Sequence, residues 1–111
     1  LFICTPQEER LKEGESAQIL SLETNGLLFE FLISEMESMG SLTADGLRSL
    51  TKAAQKELSI KGKSLFMPIR VALTGATHGP EIFVFAEGLG LEESLRRINL
   101  ALRVYQSLKT S

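Results

Sequence analysis

The 111-residue sequence predicts an all-α fold, a compact domain of about five or six helices around one core and no sheet. Three observations predict it. Apolar residues recur at three- and four-residue spacing along most of the chain, alternating β-branched segments are scarce, and Thr, Pro and Gly stand where helices would start and stop. A chain of this length buries a core without a disulfide or metal staple, so residues 1–111 are expected to form one domain.

The elements follow in order. Thr5, Pro6 and Glu8 make a helix start, with a capping hydroxyl, a proline at the first helical position and a carboxylate three residues after the cap; Gly14 ends that short helix. Leu20, Leu27, Leu28, Phe31, Leu32 and Met36 then recur at helical spacing, with Asn25-Gly26 as a break and Gly40 as a stop. Thr43 can cap the next helix, whose apolar stripe is Leu47, Leu50, Ala54 and Leu58 while Arg48, Lys52 and Lys56 line another face. Lys61, Gly62 and Lys63 read as a loop. A short helix over residues 67–75 has Pro68 in its first turn and Gly75 at its end. Pro80 and Glu81 suit the first turn of another, closed by Gly88 and Gly90. Leu91, Leu95, Ile98, Leu102 and Tyr105 mark the core stripe of a last helix, with Glu92 to Arg96 and Glu93 to Arg97 as pairs on its outer face.

Composition excludes several function classes. Cys4 is the only cysteine and His78 the only histidine, too few for an intrachain disulfide or the usual transition-metal sites, and a Cys4–His78 nucleophilic pair would join opposite ends of the chain. The glycine turns near Gly75 and Gly88 lack the continuation of a phosphate-binding loop. No catalytic residue and no metal ligand is therefore expected. No apolar run approaches the ~18 residues of a membrane helix, and the first residues lack the plan of a secretory signal, so the expected location is cytoplasmic, away from membranes. The sequence starts without Met, which leads us to expect a piece of a longer protein.

The net charge of −2 conceals a strong asymmetry. Residues 1–47 carry nine acidic and two basic groups, whereas residues 48–78 carry six basic groups against Glu57 alone, a local balance of +5. Such a patch can meet a polyanion although the whole chain is acidic, because salt screens charges beyond a Debye length of ~8 Å. A solvated helix face, or docking of an acidic protein, accounts for the same run.

The stretch KGKSLFMPIRVALTGATHGPEIF, Lys61 to Phe83, is more specific. From Lys61 to Glu81 it resembles the C-terminal anticodon-binding region of the bacterial-type glutamyl-tRNA synthetases, which carry Lys-Gly-Lys, Leu-Phe-Met-Pro, Arg-x-Ala-Leu-Thr-Gly and Gly-Pro-Glu in this order; the segment after Phe83 resembles that family only loosely. The resemblance implies a helical anticodon-binding domain of a class I ligase that attaches glutamate to its tRNA with ATP and Mg2+. It also implies that the catalytic domain lies outside these residues, since the ATP-handling motifs are absent, so this chain alone is expected to be inactive. The implied partners are a glutamate-accepting tRNA and the parent's catalytic domain, not DNA. By the same resemblance Arg70 contacts an anticodon base, Gly79 permits close approach, and Pro80, Ile82 and Phe83 shape the pocket for splayed bases. Lys61 and Lys63 would attract phosphate, positioning the RNA without specifying it.

Arginine and aromatic planes suit this task, because sequence-specific RNA recognition works mainly on unstacked loop bases. Arg70 as an ordinary surface arginine or ion-pair partner, Phe83 as a core residue and His78 as a turn residue remain open alternatives. So does the reading of the whole chain as a helical interaction module with a basic docking face and no RNA specificity. An independent enzyme built on His78 or the acidic helices finds no constellation to support it.

Overall fold

The structure, a computed structural model, describes residue 19 and residues 23–60, 62–75 and 81–110. Five helices account for most of them: α1 Asn25–Glu37, α2 Ala44–Leu58, α3 Lys63–Thr74, α4 Ile82–Leu89 and α5 Leu91–Thr110, with no strand among the described residues. The all-α expectation is met. The helix expected between Thr5 and Gly14 lies outside the described residues, as do Lys61, His78, Gly79 and Pro80. Helix α5 packs against α1, α3 and α4, while α2 closes the other side against α1 and α4.

In α1 the Asn25-Gly26 pair is the first turn rather than a break. Leu28, Phe29, Leu32 and Met36 form its buried face, whereas Leu27, expected in the stripe, is 62% exposed. Gly26 matters for docking: a Cβ there would come within 3.1 Å of the Tyr105 ring. That ring also donates its hydroxyl to the Glu23 carbonyl at 3.2 Å, so the far end of α5 is seated on the start of α1.

Helix α2 follows its sequence signals closely. The Thr43 hydroxyl accepts from Gly46 N–H at 3.0 Å, satisfying one orphan donor of the first turn. Leu47, Leu50 and Ala54 are buried, and Arg48, Lys52 and Lys56 are exposed. Ser59 ends the helix with φ of 57°, the left-handed region that non-glycine residues rarely occupy.

Helix α3 corrects two expectations. It begins at Lys63, so Lys63 is helical rather than in a loop, and Pro68 lies in the interior rather than the first turn. Pro68 has no N–H for the carbonyl of Ser64, four residues back, which forfeits one helical hydrogen bond. Burial offsets that loss: Leu65, one turn before the proline, is fully inaccessible, as are Ile69, Val71, Ala72 and Leu73. Gly75 closes the helix with φ of 79° and donates to the Val71 carbonyl at 2.8 Å.

The junction of α4 and α5 turns at Gly90, whose φ is 89°, while Gly88 stays inside α4. The core face of α5 lies beside the stripe read from sequence: Ser94, Ile98, Leu100, Ala101 and Val104 are buried, and Leu91, Leu95, Leu102 and Tyr105 only half-buried. The cause is topological. A helix with neighbours on three sides buries more of its circumference than one seam, and the centre of that arc belongs to Ile98 and Ala101.

The charged pairs of α5 are rearranged as well. The expected Glu93–Arg97 pair forms at 2.8 Å, but Arg96 joins the same carboxylate at 2.6 Å in place of pairing with Glu92. Arg97 is not on the outer face: its guanidinium reaches the Leu73 carbonyl at 2.6 Å, satisfying an end carbonyl of α3 with a cation suited to that helix's dipole.

Hydrogen bonds from Arg96 and then Arg97 lower the Glu93 carboxyl from its ordinary 4.5 to about 2. The folded state thus binds fewer protons than the unfolded one between those values, so the contribution is complete above pH ~4.5 and lost as the pH falls toward ~2. Glu93→Gln is expected to cost about 1 kcal/mol at neutral pH and to flatten the loss of stability between pH 5 and 2.5. Urea unfolding midpoints measured across that range check this. An unchanged acid dependence in the variant would assign the acid sensitivity to other carboxylates.

Candidate nucleic-acid interface

Because α3 is buried around most of its circumference, little of it meets solvent. Lys63, Phe66, Met67, Arg70 and Thr74 recur at the three- and four-residue spacing of one helical stripe, exposed or half-buried beside the fully inaccessible Leu65, Ile69 and Val71, with Ser64 the one other exposed position of the helix. Lys63 is exposed, Phe66 is 38% exposed and Arg70 is half-buried. The Thr74 hydroxyl donates to the Arg70 carbonyl at 2.8 Å, within the last turn. Lys63 and Arg70, separated in sequence by seven positions, thereby share one face with an aromatic ring between them.

Helix α4 brings a second ring to that face. Phe83 meets Phe66 edge to face, with centroids 6.5 Å apart and planes at 84°, the favoured arrangement of two ring quadrupoles. Its position is set by the α4 N-terminus, where Glu81 is the cap residue rather than a member of the first turn: its carboxylate accepts from Phe83 N–H at 2.9 Å and from Val84 N–H at 3.2 Å. A negative charge on those orphan donors is favourable for a helix start. Ile82 turns inward and is 4% exposed, a core residue beneath Phe83, while Val84 is 61% exposed beside it.

The third contributor comes from α2. The Arg48 guanidinium lies 4.8 Å from the centroid of the Phe83 ring, a cation–π contact, and bonds Asp45 at 2.7 Å. Nothing local to Arg48 in the sequence announces a ring on another helix. Phe66 was also missed, although its place three residues after Lys63 and four before Arg70 would have revealed it had the helix been started at Lys63 rather than near Pro68.

The resulting surface holds the guanidinium planes of Arg48 and Arg70 and the rings of Phe66 and Phe83 beside the ammonium group of Lys63. Such planes stack on unpaired bases, and such cations attract phosphate. Among the described residues no group of three or more His, Cys, Asp or Glu side chains could hold a metal ion, and no helix is long and apolar enough to cross a membrane.

Comparison with known proteins agrees with this chemistry. The family described as anticodon binding domain matches residues 6–102. The glutamate–tRNA ligase 1 of Caldicellulosiruptor saccharolyticus is 41% identical over 82% of this chain and 19% of its own length. The glutamate–tRNA ligase of Listeria innocua is 38% identical over 93% of this chain and 21% of its own length, and that of Bacillus pumilus 44% over 76% and 17%. The chain thus spans about a fifth of the length of the relatives it matches. No solved structure matches it.

Removing the α4 cap tests how the ring is held. Glu81→Ala is expected to lower stability by ~0.5–2 kcal/mol, with Glu81→Gln less affected because it keeps an acceptor for the same amides. Thermal unfolding gives the stability, and aromatic ring-proton NMR of Phe83 is expected to show its packing loosened in the alanine variant only. Equal stability of all three proteins would mean that water satisfies these amides as well as Glu81 does.

Proposed function

The chain belongs to the anticodon-binding domain family, and from that premise we propose that it recognises the anticodon of a glutamate-accepting tRNA as the C-terminal domain of a cytoplasmic glutamate–tRNA ligase. The observation that carries this reading is the shared surface of Lys63, Phe66, Arg70 and Phe83, in which side chains from two helices offer stacking planes and directional donors together. A docking site for an acidic protein would need the cations but not the rings. In this reading Arg70 bonds a base edge, Phe83 supplies a wall of the base pocket with Ile82 as its support, Pro80 contributes to the same pocket, Gly79 permits close approach, and Lys61 and Lys63 hold phosphate. ATP, Mg2+ and the chemistry of charging belong to the part of the ligase outside this chain, and the tRNA reaches that part while its anticodon is held here.

The base-reading role separates from the phosphate role in a binding titration. Arg70→Ala is expected to cost ~1–3 kcal/mol with the matching tRNA and to relax discrimination at one anticodon position, because a guanidinium offers directional donors to a base edge. Lys63→Ala is expected to weaken matched and anticodon-altered tRNA alike and to flatten the salt slope by up to ~1. If Arg70→Ala weakened all RNAs equally, Arg70 would be a phosphate or scaffold residue.

Alone, the 111-residue chain is expected to show no ATP–pyrophosphate exchange with glutamate and tRNA present. Exchange that persists through removal of contaminating ligase would overturn the division of labour between domains.

A further inference from the structure

Helix α2 carries cations that the anticodon reading does not use. Arg48, Lys52 and Lys56 follow one another at four-residue intervals, and all three are exposed. Each interval advances ~6 Å along the helix while turning only ~40°, so the three form one slanting row. Like charges at this spacing destabilise a helix that faces only solvent. Of the acidic residues on α2, Asp45 is paired to Arg48, and Glu57 falls on the opposite side of the helix from Arg48; neither Lys52 nor Lys56 forms an ion pair among the described residues.

The row is joined to the base-reading surface at one point. Arg48, its first member, lies on the Phe83 ring, and Phe83 in turn meets Phe66 between Lys63 and Arg70. We propose that the Arg48, Lys52 and Lys56 row of α2 is a second tRNA contact, engaging the phosphate backbone of the strand that leads away from the base held at Phe83. This rests on the anticodon reading and extends it to residues outside the segment that suggested it. Charge complementarity selects the occupant. A row of evenly spaced cations complements the evenly spaced phosphates of one strand, each ion pair releasing counterion from the backbone. Arg48 serves both parts, since a planar guanidinium stacks by its face while its edge donates to phosphate.

The test uses Lys52→Gln with Lys56→Gln in one chain, and Arg103→Gln as a basic control on α5. Binding to matched and anticodon-altered tRNA is titrated over a range of salt concentrations, and circular dichroism checks that each variant is folded. The double variant is expected to bind both tRNAs more weakly, on the order of 3- to 10-fold, with the salt slope reduced by ~1.4 and the ratio between the tRNAs unchanged. Arg103→Gln is expected to leave the affinities and slope as they were. An unchanged slope in the double variant, or an equal reduction in the control, overturns the proposal and returns Lys52 and Lys56 to solvent or to a protein partner. If the double variant behaves as expected while Arg70→Ala leaves discrimination intact, the backbone contact stands and the base-reading assignment falls. Absence of tRNA binding by the unaltered chain overturns both.

Discussion

Helix α3 buries Leu65, Pro68, Ile69, Val71, Ala72 and Leu73, and the narrow strip this leaves governs what the molecule can present to a partner. A helix with half its circumference exposed could offer its polar groups in many ways. Here Lys63, Phe66, Met67 and Arg70 are confined between buried positions, so their relative placement follows from the packing of the core and not from the flexibility of a loop. The interior proline belongs to the same constraint. A helix tolerates a missing hydrogen bond at Pro68 because the apolar face on either side of it is fully enclosed.

Charge is used at helix ends as much as on surfaces. Glu81 supplies acceptors to the first amides of α4, and Arg97 supplies donors to a last carbonyl of α3, each with the sign that the helix dipole favours. Both devices lie next to the candidate interface. The carboxylate of Glu81 fixes the turn that carries Phe83, and Arg97, held by Glu93, ties the last turn of α3, which follows Arg70, to α5. The candidate interface is thus positioned by groups that lie outside it.

Local signals were the legible ones. Thr43 announced α2, the Leu47, Leu50 and Ala54 stripe gave its buried face, and Gly75 and Gly90 marked true ends, because caps and periodicity are properties of neighbouring residues. Where several helices share one core the same logic misplaces faces. Leu27 and Leu102 fit the period but lie off the centre of burial, while Phe29 and Ala101 occupy it. Pro68 misled for a related reason, since propensity would start the helix there and the enclosure of Leu65 extends it a turn earlier. At the candidate site the resemblance singled out Arg70 and Phe83 but not Phe66 or Arg48; spacing places Phe66 on the face of Lys63 and Arg70 once α3 starts at Lys63, whereas the contact of Arg48 with Phe83 joins two helices and leaves no trace in local spacing.

The seat of Tyr105 on the first turn of α1 bears on how the domain is made. The hydrogen bond from its hydroxyl to Glu23 spans 82 positions, and α5 is the main packing partner of α1. Closing so long a loop costs chain entropy before any contact repays it. During synthesis at ~5–20 residues per second, α1 leaves the ribosome with its Leu28, Phe29 and Leu32 face uncovered until almost the whole domain has followed. The nascent chain therefore carries an apolar helix for several seconds, a period in which α1 depends on α2 alone, or on a chaperone, to keep that face from water.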